Sequence, residues 1–194
     1  MKIATIQCSG GLNIGNEFIN AGGSYLIESL YPKNEIFSFE FYDSFHKDTY
    51  KHPSEPFTKS SFQYINSCDV IFIFCGSIIS ERAERILSYL AETKPKKVLL
   101  GAGAYLYNEK EKSICKKIAK NYDYIFTRDD ITFSYFNGAS NAYSGIDLAF
   151  FADHKVQIPK EHGNYAVVNI DSIEGNRHSI IKNKVKELKH SFDE

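Results

Sequence analysis

The residues with the clearest chemical potential lie in turns that follow apolar segments. The first turn combines three glycines and two asparagines ahead of a helical pattern, in the segment Ser9-Gly10-Gly11-Leu12-Asn13-Ile14-Gly15-Asn16-Glu17. Backbone N–H groups at the positive end of a helix suit a phosphate or a carboxylate. The spacing matches neither the nucleoside-triphosphate P-loop nor the dinucleotide fingerprint. Both an anion site and a plain turn capped by Asn13 or Asn16 fit this segment.

Later turns carry small residues, one cation and one isolated carboxylate. Gly76-Ser77 and Gly101-Ala102-Gly103 would let a ligand or another backbone come close. Arg128 could clamp an anion, or it could pair with Asp129 to hold the turn. Asp147 lies among apolar residues, which favours a structural role with a hydrogen-bonding partner.

Cysteines and histidines show no metal-ligand spacing, so no metal site is expected. The four cysteines are widely separated and are predicted to be reduced thiols packed as small apolar groups: Cys8, Cys68, Cys75 and Cys115. Cys8 and Cys75 each end a predicted strand, where a catalytic group could lie. The pair Arg177-His178, at the start of the last helical pattern, could meet an acidic ligand.

Strand-like and helix-like patterns alternate over the first part of the chain. The continuous apolar run Val70-Ile71-Phe72-Ile73-Phe74 is typical of a strand covered on both faces. The alternation predicts a doubly wound, mostly parallel α/β domain, Rossmann-like, over residues 1–153. The predicted strands are 2–7, 35–42, 69–75, 97–101, 122–127 and 141–143, and the predicted helices are 16–30, 59–67, 81–92, 109–120 and 131–136. Ligands of such sheets bind beyond the carboxyl ends of the strands.

The end of the chain has a different character. Residues 154–163, with Pro159 and several charges, predict a linker. Residues 164–194 predict one strand (164–170) and one amphipathic helix (177–192). One strand and one helix cannot bury a core alone, so we expect the first domain or another chain to cover them.

Composition argues against several classes of protein. The 23 Lys and Arg against 24 Asp and Glu, with a formal net charge of -1, disfavour nucleic-acid binding driven by charge. No apolar run approaches the roughly 20 residues of a transmembrane helix. The start is too quickly polar for a signal peptide, so a cytoplasmic protein is expected.

Taken in order, these turns resemble those of the polysaccharide pyruvyl transferase family. Asn13-Ile14-Gly15-Asn16-Glu17 resembles its opening Asn-x-Gly-Asp-Glu turn. Cys75-Gly76-Ser77 and Gly101-Ala102-Gly103 look like its glycine-rich strand ends. Arg128-Asp129-Asp130-Ile131-Thr132 looks like its Arg-Asp-x-x-(Ser/Thr) turn, and Ile146-Asp147-Leu148-Ala149-Phe150 like its Pro-Asp-x-Ala-Phe segment. In these motifs Asn16 stands in place of Asp and Ile146 in place of Pro.

The resemblance implies the N-terminal half of a GT-B architecture, in which two Rossmann-like domains face each other across a cleft. It implies transfer of a pyruvyl group from phosphoenolpyruvate to a sugar or carrier-linked glycan of a cell-surface polysaccharide, forming a ketal. No cofactor is expected and no catalytic residue is assigned. The substrate-binding residues are expected to be Asn13, Gly15, Asn16, Glu17, Gly76, Ser77, Gly101, Gly103, Arg128, Arg177 and His178.

Residues 164–194 resemble the first β-α unit of the family's second domain. One expectation is therefore a member complete only in its first domain, either truncated or split or a natural short relative, and inactive alone, without a second-domain partner. A second is a non-catalytic Rossmann-like module that binds a nucleotide or a sugar, favoured by the lack of a convincing nucleophile or carboxylate pair. A third is a homo-oligomer that builds its cleft between chains.

Overall fold

The described residues fold around one parallel sheet of six strands. A computed structural model describes residues 1–8, 13–41 and 62–156, all within a compact unit spanning Met1–Gln157. The sheet order is β2-β1-β3-β4-β5-β6, and every pairing is parallel. The strands are β1 (Lys2–Gln7), β2 (Glu35–Glu40), β3 (Val70–Phe74), β4 (Lys96–Ala102), β5 (Tyr124–Thr127) and β6 (Ala142–Ser144). The prediction of a doubly wound, parallel, Rossmann-like α/β domain is confirmed.

Side-chain oxygens at the helix starts fix where the helices begin. The helices are α1 (Ile14–Leu30), α2 (Glu81–Ala91), α3 (Glu109–Asn121), α4 (Asp130–Tyr135) and a 3₁₀ helix (Leu148–His154), and residues 62–66 are also helical. Each of α1 to α4 and the 3₁₀ helix is preceded by a residue whose side chain accepts a backbone N–H of the first turn: Asn13, Ser80, Asn108, Asp129 and Asp147. These bonds satisfy N–H groups that have no partner inside the helix.

The central strand is buried on both faces, as its apolar run predicts. All five residues of β3 are buried. One face packs against α2 and α3, and the other against α1 and the 3₁₀ helix.

The predicted strand 122–127 begins later, at Tyr124, because Tyr122 ends α3. Its N–H donates to the Ile118 carbonyl at 3.0 Å, and its hydroxyl to the Leu87 carbonyl at 2.8 Å.

Two adjacent glycines bring α1 close to the sheet and to the 3₁₀ helix. A Cβ added at Gly22 would overlap the Leu148 carbonyl oxygen and lie 2.9 Å from the Leu148 carbonyl carbon. A Cβ added at Gly23 would lie 2.8 Å from the Phe74 ring. The middle of α1 therefore needs glycine at both positions, although glycine weakens a helix by roughly 1 kcal/mol relative to alanine.

The strand order reverses between β1 and β3. From β1 the chain moves outward to β2, then returns to the other side of β1 to form β3. In open α/β sheets such a reversal opens a crevice outside the carboxyl ends of the two strands. Cys8 follows β1, and Cys75-Gly76-Ser77 follows β3, at that edge.

Several predicted features lie outside the described residues. They are Gly10 and Gly11 of the opening turn, most of the linker 154–163, and the predicted strand and helix of residues 164–194. The candidate residues Arg177 and His178 lie there too.

Candidate functional site

Arg128 joins the carboxyl ends of several strands. It follows β5, and its backbone N–H donates to the carbonyl of Ala102, the last residue of β4, at 3.0 Å. Its guanidinium donates from Nη2 to Ser77 Oγ at 2.7 Å and from Nη1 to Asp147 Oδ2 at 3.0 Å. Because Ser77 follows β3 and Asp147 follows β6, this one residue connects four strand ends.

The stronger carboxylate partner of Arg128 is Asp147. The Arg128 Nε lies 4.0 Å from Asp129 Oδ2, so the pair considered from the sequence is the weaker contact. The Asp129 oxygens instead accept the N–H of Thr132 at 2.7 Å and its hydroxyl at 2.9 Å. Capping α4 therefore engages both oxygens of Asp129.

Asp147 has the structural role that its apolar surroundings predict, and it also holds the cation. Its Oδ1 accepts the Ala149 N–H at 3.0 Å and caps the 3₁₀ helix. Its Oδ2 accepts from Arg128. The guanidinium has five N–H donors, and the bonds to Asp147 and Ser77 use two of them. With its side chain 25% exposed, Arg128 can offer other donors to an anion.

Two of the glycines that the sequence predicts to bind substrate leave space for the guanidinium of Arg128. A Cβ added at Gly103 would overlap Arg128 Nε and lie 3.1 Å from its Cδ and Cζ. A Cβ added at Gly76 would lie 3.8 Å from Arg128 Nη1 and 3.0 Å from Ile19 Cδ1 of α1. Gly101 differs: its φ of +69° favours glycine, and an added Cβ would meet the Cys75 carbonyl oxygen at 3.3 Å. A ligand-binding role for Gly101 stays a prediction.

The opening turn leads into α1, and the Ile19 side chain of that helix lies near Gly76. Asn13 Oδ1 accepts the Gly15 N–H at 3.0 Å, and the Asn13 carbonyl accepts the Asn16 N–H at 3.0 Å. Glu17 is exposed in the first turn. Ile19, little more than one turn into the helix, reaches Gly76 beside Arg128. The structure therefore brings the start of α1 toward the cluster formed by Arg128, Asp147, Ser77, Gly76 and Gly103, which we call the strand-end cluster.

Cys8 lies beside the strand-end cluster as a protonated thiol. Asn20 holds its backbone twice, accepting the Cys8 N–H at 2.8 Å and donating to the Cys8 carbonyl at 2.9 Å. Burial, followed by the negative charge of Asp147, raises the pKa of the Cys8 thiol to about 12. Burial also raises the pKa of the Cys75 thiol well above its usual range. A neutral thiol is a poor nucleophile, so neither is suited to covalent catalysis.

The raised thiol pKa values predict a stability that declines in alkali. Burial raises the pKa of Cys8 and of Cys115 to about 12, against 9.0 in an exposed thiol. Above pH 9 the unfolded chain loses these protons while the folded chain keeps them, so the free energy of unfolding should fall as the pH rises from 9 toward 12. Urea unfolding followed across this range measures the effect. In Cys8→Ala and Cys115→Ala variants the pH slope should be smaller, and an unchanged slope would contradict the assignment.

Sequence reasoning missed several contacts that build the site. Arg128 and Asp147 lie nineteen positions apart, and only the parallel arrangement of β5 and β6 brings them together. Asn20 lies within the predicted helix 16–30 and was not singled out, yet it fixes the chain where β1 ends. The dipeptide Gly22-Gly23 inside a helical pattern was the available signal of a close approach.

The described part of the chain shows neither a metal-binding cluster nor a membrane-spanning helix. Within residues 1–8, 13–41 and 62–156, no group of three or more His, Cys, Asp or Glu side chains is placed to hold a metal ion. No helix in these ranges is long and apolar enough to cross a membrane.

The chain has a low similarity to a solved structure and matches a family model. The Anabaena protein HepE, in a crystal structure with UDP and glucose, shares 11% identity with the chain at a TM-score of 0.43. The match covers 76% of this chain and 44% of HepE, so the chain spans less than half of that protein. No curated protein matches the sequence. The family model of the polysaccharide pyruvyl transferases matches residues 13–194, and the chain therefore belongs to the polysaccharide pyruvyl transferase family.

Proposed function

We propose that the strand-end cluster binds the anionic end of phosphoenolpyruvate, and that the chain takes part in transfer of its pyruvyl group to a sugar of a cell-surface polysaccharide. The observation that carries this proposal is the position of Arg128. Its guanidinium is fixed at two points among the carboxyl ends of the strands and is partly open to solvent. A planar guanidinium with spare N–H groups matches the paired oxygens of a carboxylate or a phosphate.

The proposed reaction forms a ketal. Two neighbouring sugar hydroxyls form bonds to the central carbon of the pyruvyl group, and the carbon–oxygen bond to phosphate breaks. One hydroxyl proton is transferred to the methylene carbon, which becomes the methyl group as its double bond is lost, and the other leaves with inorganic phosphate. A cation beside that phosphate stabilises the charge that develops on it. Arg128 supplies this charge in the proposal, and the Asn13–Glu17 turn supports it from the start of α1. Arg177 and His178 lie outside the described residues and remain substrate-binding residues predicted from the sequence.

The strand-end cluster needs other groups for proton transfer. Burial raises the pKa of both the Cys8 and the Cys75 thiol, which disfavours a thiolate as the base at these strand ends. We therefore propose that the described domain binds and orients substrate. A complete catalytic set would include residues beyond position 156 or residues of a partner chain.

Calorimetric titrations with phosphoenolpyruvate and, separately, with UDP test this proposal. We expect phosphoenolpyruvate to bind, and Gly15→Val to weaken that binding because its side chain crowds the first turn of α1. Binding of UDP without binding of phosphoenolpyruvate would contradict the proposal and favour a nucleotide-binding module. Molecular mass in solution, measured on the same samples, shows whether a second copy completes the site.

A further inference from the structure

The loop after β4 presents three large apolar side chains to solvent. Tyr105, Leu106 and Tyr107 are 63%, 66% and 43% exposed. Exposed apolar side chains clustered at one place mark a binding surface more often than those scattered singly. We call these three residues the β4 loop.

A buried carboxylate fixes the backbone of the β4 loop. Glu111 in α3 is 1% exposed. Its oxygens accept the Leu106 N–H at 2.9 and 3.0 Å and the Tyr107 N–H at 2.7 Å. Charge-assisted bonds of this kind are about twice as strong as bonds between neutral groups. The loop is therefore held in a defined shape although its side chains project into solvent.

Tyr107 adopts a backbone conformation that its side chain disfavours. Its φ is +54°, and it is the one non-glycine residue with positive φ among residues 1–8, 13–41 and 62–156. A left-handed backbone is disfavoured for a residue with a Cβ, because the Cβ comes too close to the following carbonyl oxygen. Strain of this sort persists where the surroundings impose it, and it concentrates at ligand-binding positions. The Glu111 carboxylate supplies the constraint here.

The β4 loop adjoins the strand-end cluster. Gly103, two residues before Tyr105, lies under the Arg128 side chain. The Ala104 N–H donates to Thr132 Oγ1 at 2.9 Å, and Thr132 is held by Asp129, the neighbour of Arg128. Two residues of extended chain span about 7 Å at most, so Tyr105 begins within that distance of Gly103.

We propose that the β4 loop is a binding shelf for the uncharged ring of the acceptor sugar, with Glu111 as the positioning residue that holds it. The inference rests on the proposed function, because it places the acceptor next to the anion held by Arg128. Residues 103–108 carry no charged side chain. A sugar ring has an apolar C–H face and a hydroxyl edge, which match the face and hydroxyl of a tyrosine. The uncharged ring of the acceptor would thus contact the β4 loop, and the anionic donor would contact the neighbouring strand-end cluster.

Saturation-transfer NMR with the methyl glycosides of glucose, galactose, mannose and N-acetylglucosamine tests the shelf. At least one glycoside should bind the full chain. Tyr105→Ala should lower its affinity about fivefold, the change that corresponds to about 1 kcal/mol for a lost aromatic contact. Tyr107→Gly should act similarly while keeping the left-handed backbone. Tyr124→Ala, an exposed tyrosine at the opposite end of β5, is the matched control and should bind as the wild type.

Glu111→Gln tests the positioning role. It should lower glycoside affinity and leave phosphoenolpyruvate affinity unchanged, whereas a merely structural role would shift the melting temperature without changing sugar binding. Unchanged glycoside affinity in Tyr105→Ala and Tyr107→Gly would overturn the shelf, as would absence of glycoside binding to the wild type. A change of molecular mass in these variants with unchanged sugar binding would also overturn it, in favour of a protein contact. Phosphoenolpyruvate binding tests the proposed function at Arg128, whereas glycoside binding tests the β4 loop. The two proposals can therefore fail independently.

Discussion

Replacing Gly22 with alanine is expected to destabilise the protein by about 1–3 kcal/mol, the range measured for overpacked interiors. An added Cβ overlaps the Leu148 carbonyl oxygen and lies 3.3 Å from the Ala152 nitrogen. Both neighbours belong to the backbone of the 3₁₀ helix, which cannot move aside as a flexible side chain can. The gain of roughly 1 kcal/mol in helix propensity offsets only part of the cost.

Thermal unfolding measures this effect, with Gly15→Ala as the matched control in the same helix. For a chain of this size, the expected loss corresponds to a fall in melting temperature of roughly 2–12 °C. At Gly15 the added Cβ meets only Asn13 Oδ1, at 3.2 Å, the end of an exposed side chain. That variant should stay within about 0.5 kcal/mol of the wild type. Equal melting temperatures for the two variants would contradict the close packing of α1 on the 3₁₀ helix.

The absence of a side chain at Gly103 should matter for the binding of phosphoenolpyruvate. Gly103→Ala should weaken phosphoenolpyruvate binding about tenfold, the change that corresponds to about 1.4 kcal/mol and is slightly less than the loss of a whole charge-assisted bond. The new Cβ would occupy the space of Arg128 Nε and lie 3.1 Å from its Cζ. The guanidinium must then leave Ser77 and Asp147. Since a long, partly exposed side chain can relocate, the melting temperature should change little.

Gly138→Asn is the control for this displacement. Gly138 has a φ of +83° in the turn after α4, and an added Cβ there meets nothing within 4 Å. Asparagine tolerates the left-handed conformation better than most residues. The affinity of the Gly138→Asn variant for phosphoenolpyruvate should match that of the wild type. Wild-type affinity in Gly103→Ala would show that phosphoenolpyruvate binding does not depend on the observed position of Arg128.

The fold was largely predictable because its signals are local. The apolar run of β3 and the amphipathic pattern of α2 each follow from burial on known faces. The sequence located the first residue of each helix less precisely than the helix itself, because several residues could act as caps. The opening turn offered Asn13 and Asn16, and the structure shows that Asn13 caps α1.

The candidate site was only partly predictable because its contacts cross between strands. Glycines at strand ends and Arg128 were visible as residue types. The partner of Arg128 was not, since choosing Asp147 over the adjacent Asp129 requires knowing that Asp129 is engaged by Thr132. The role of Glu111 was hidden as well, because a glutamate in the first turn of a helix is usually exposed and favoured there by the helix dipole.

Calorimetric titration of phosphoenolpyruvate into the wild type and Arg128→Ala tests whether Arg128 holds the donor. Arg85→Ala removes an exposed arginine of α2, which lies over the Tyr89 ring, and serves as the control for loss of one positive charge. We expect Arg128→Ala to lose about 1.5–3 kcal/mol of binding free energy, the amount of a charge-assisted bond. Arg85→Ala should bind as the wild type. Equal affinity of the wild type and Arg128→Ala would contradict the assignment of the strand-end cluster as the site that binds the donor.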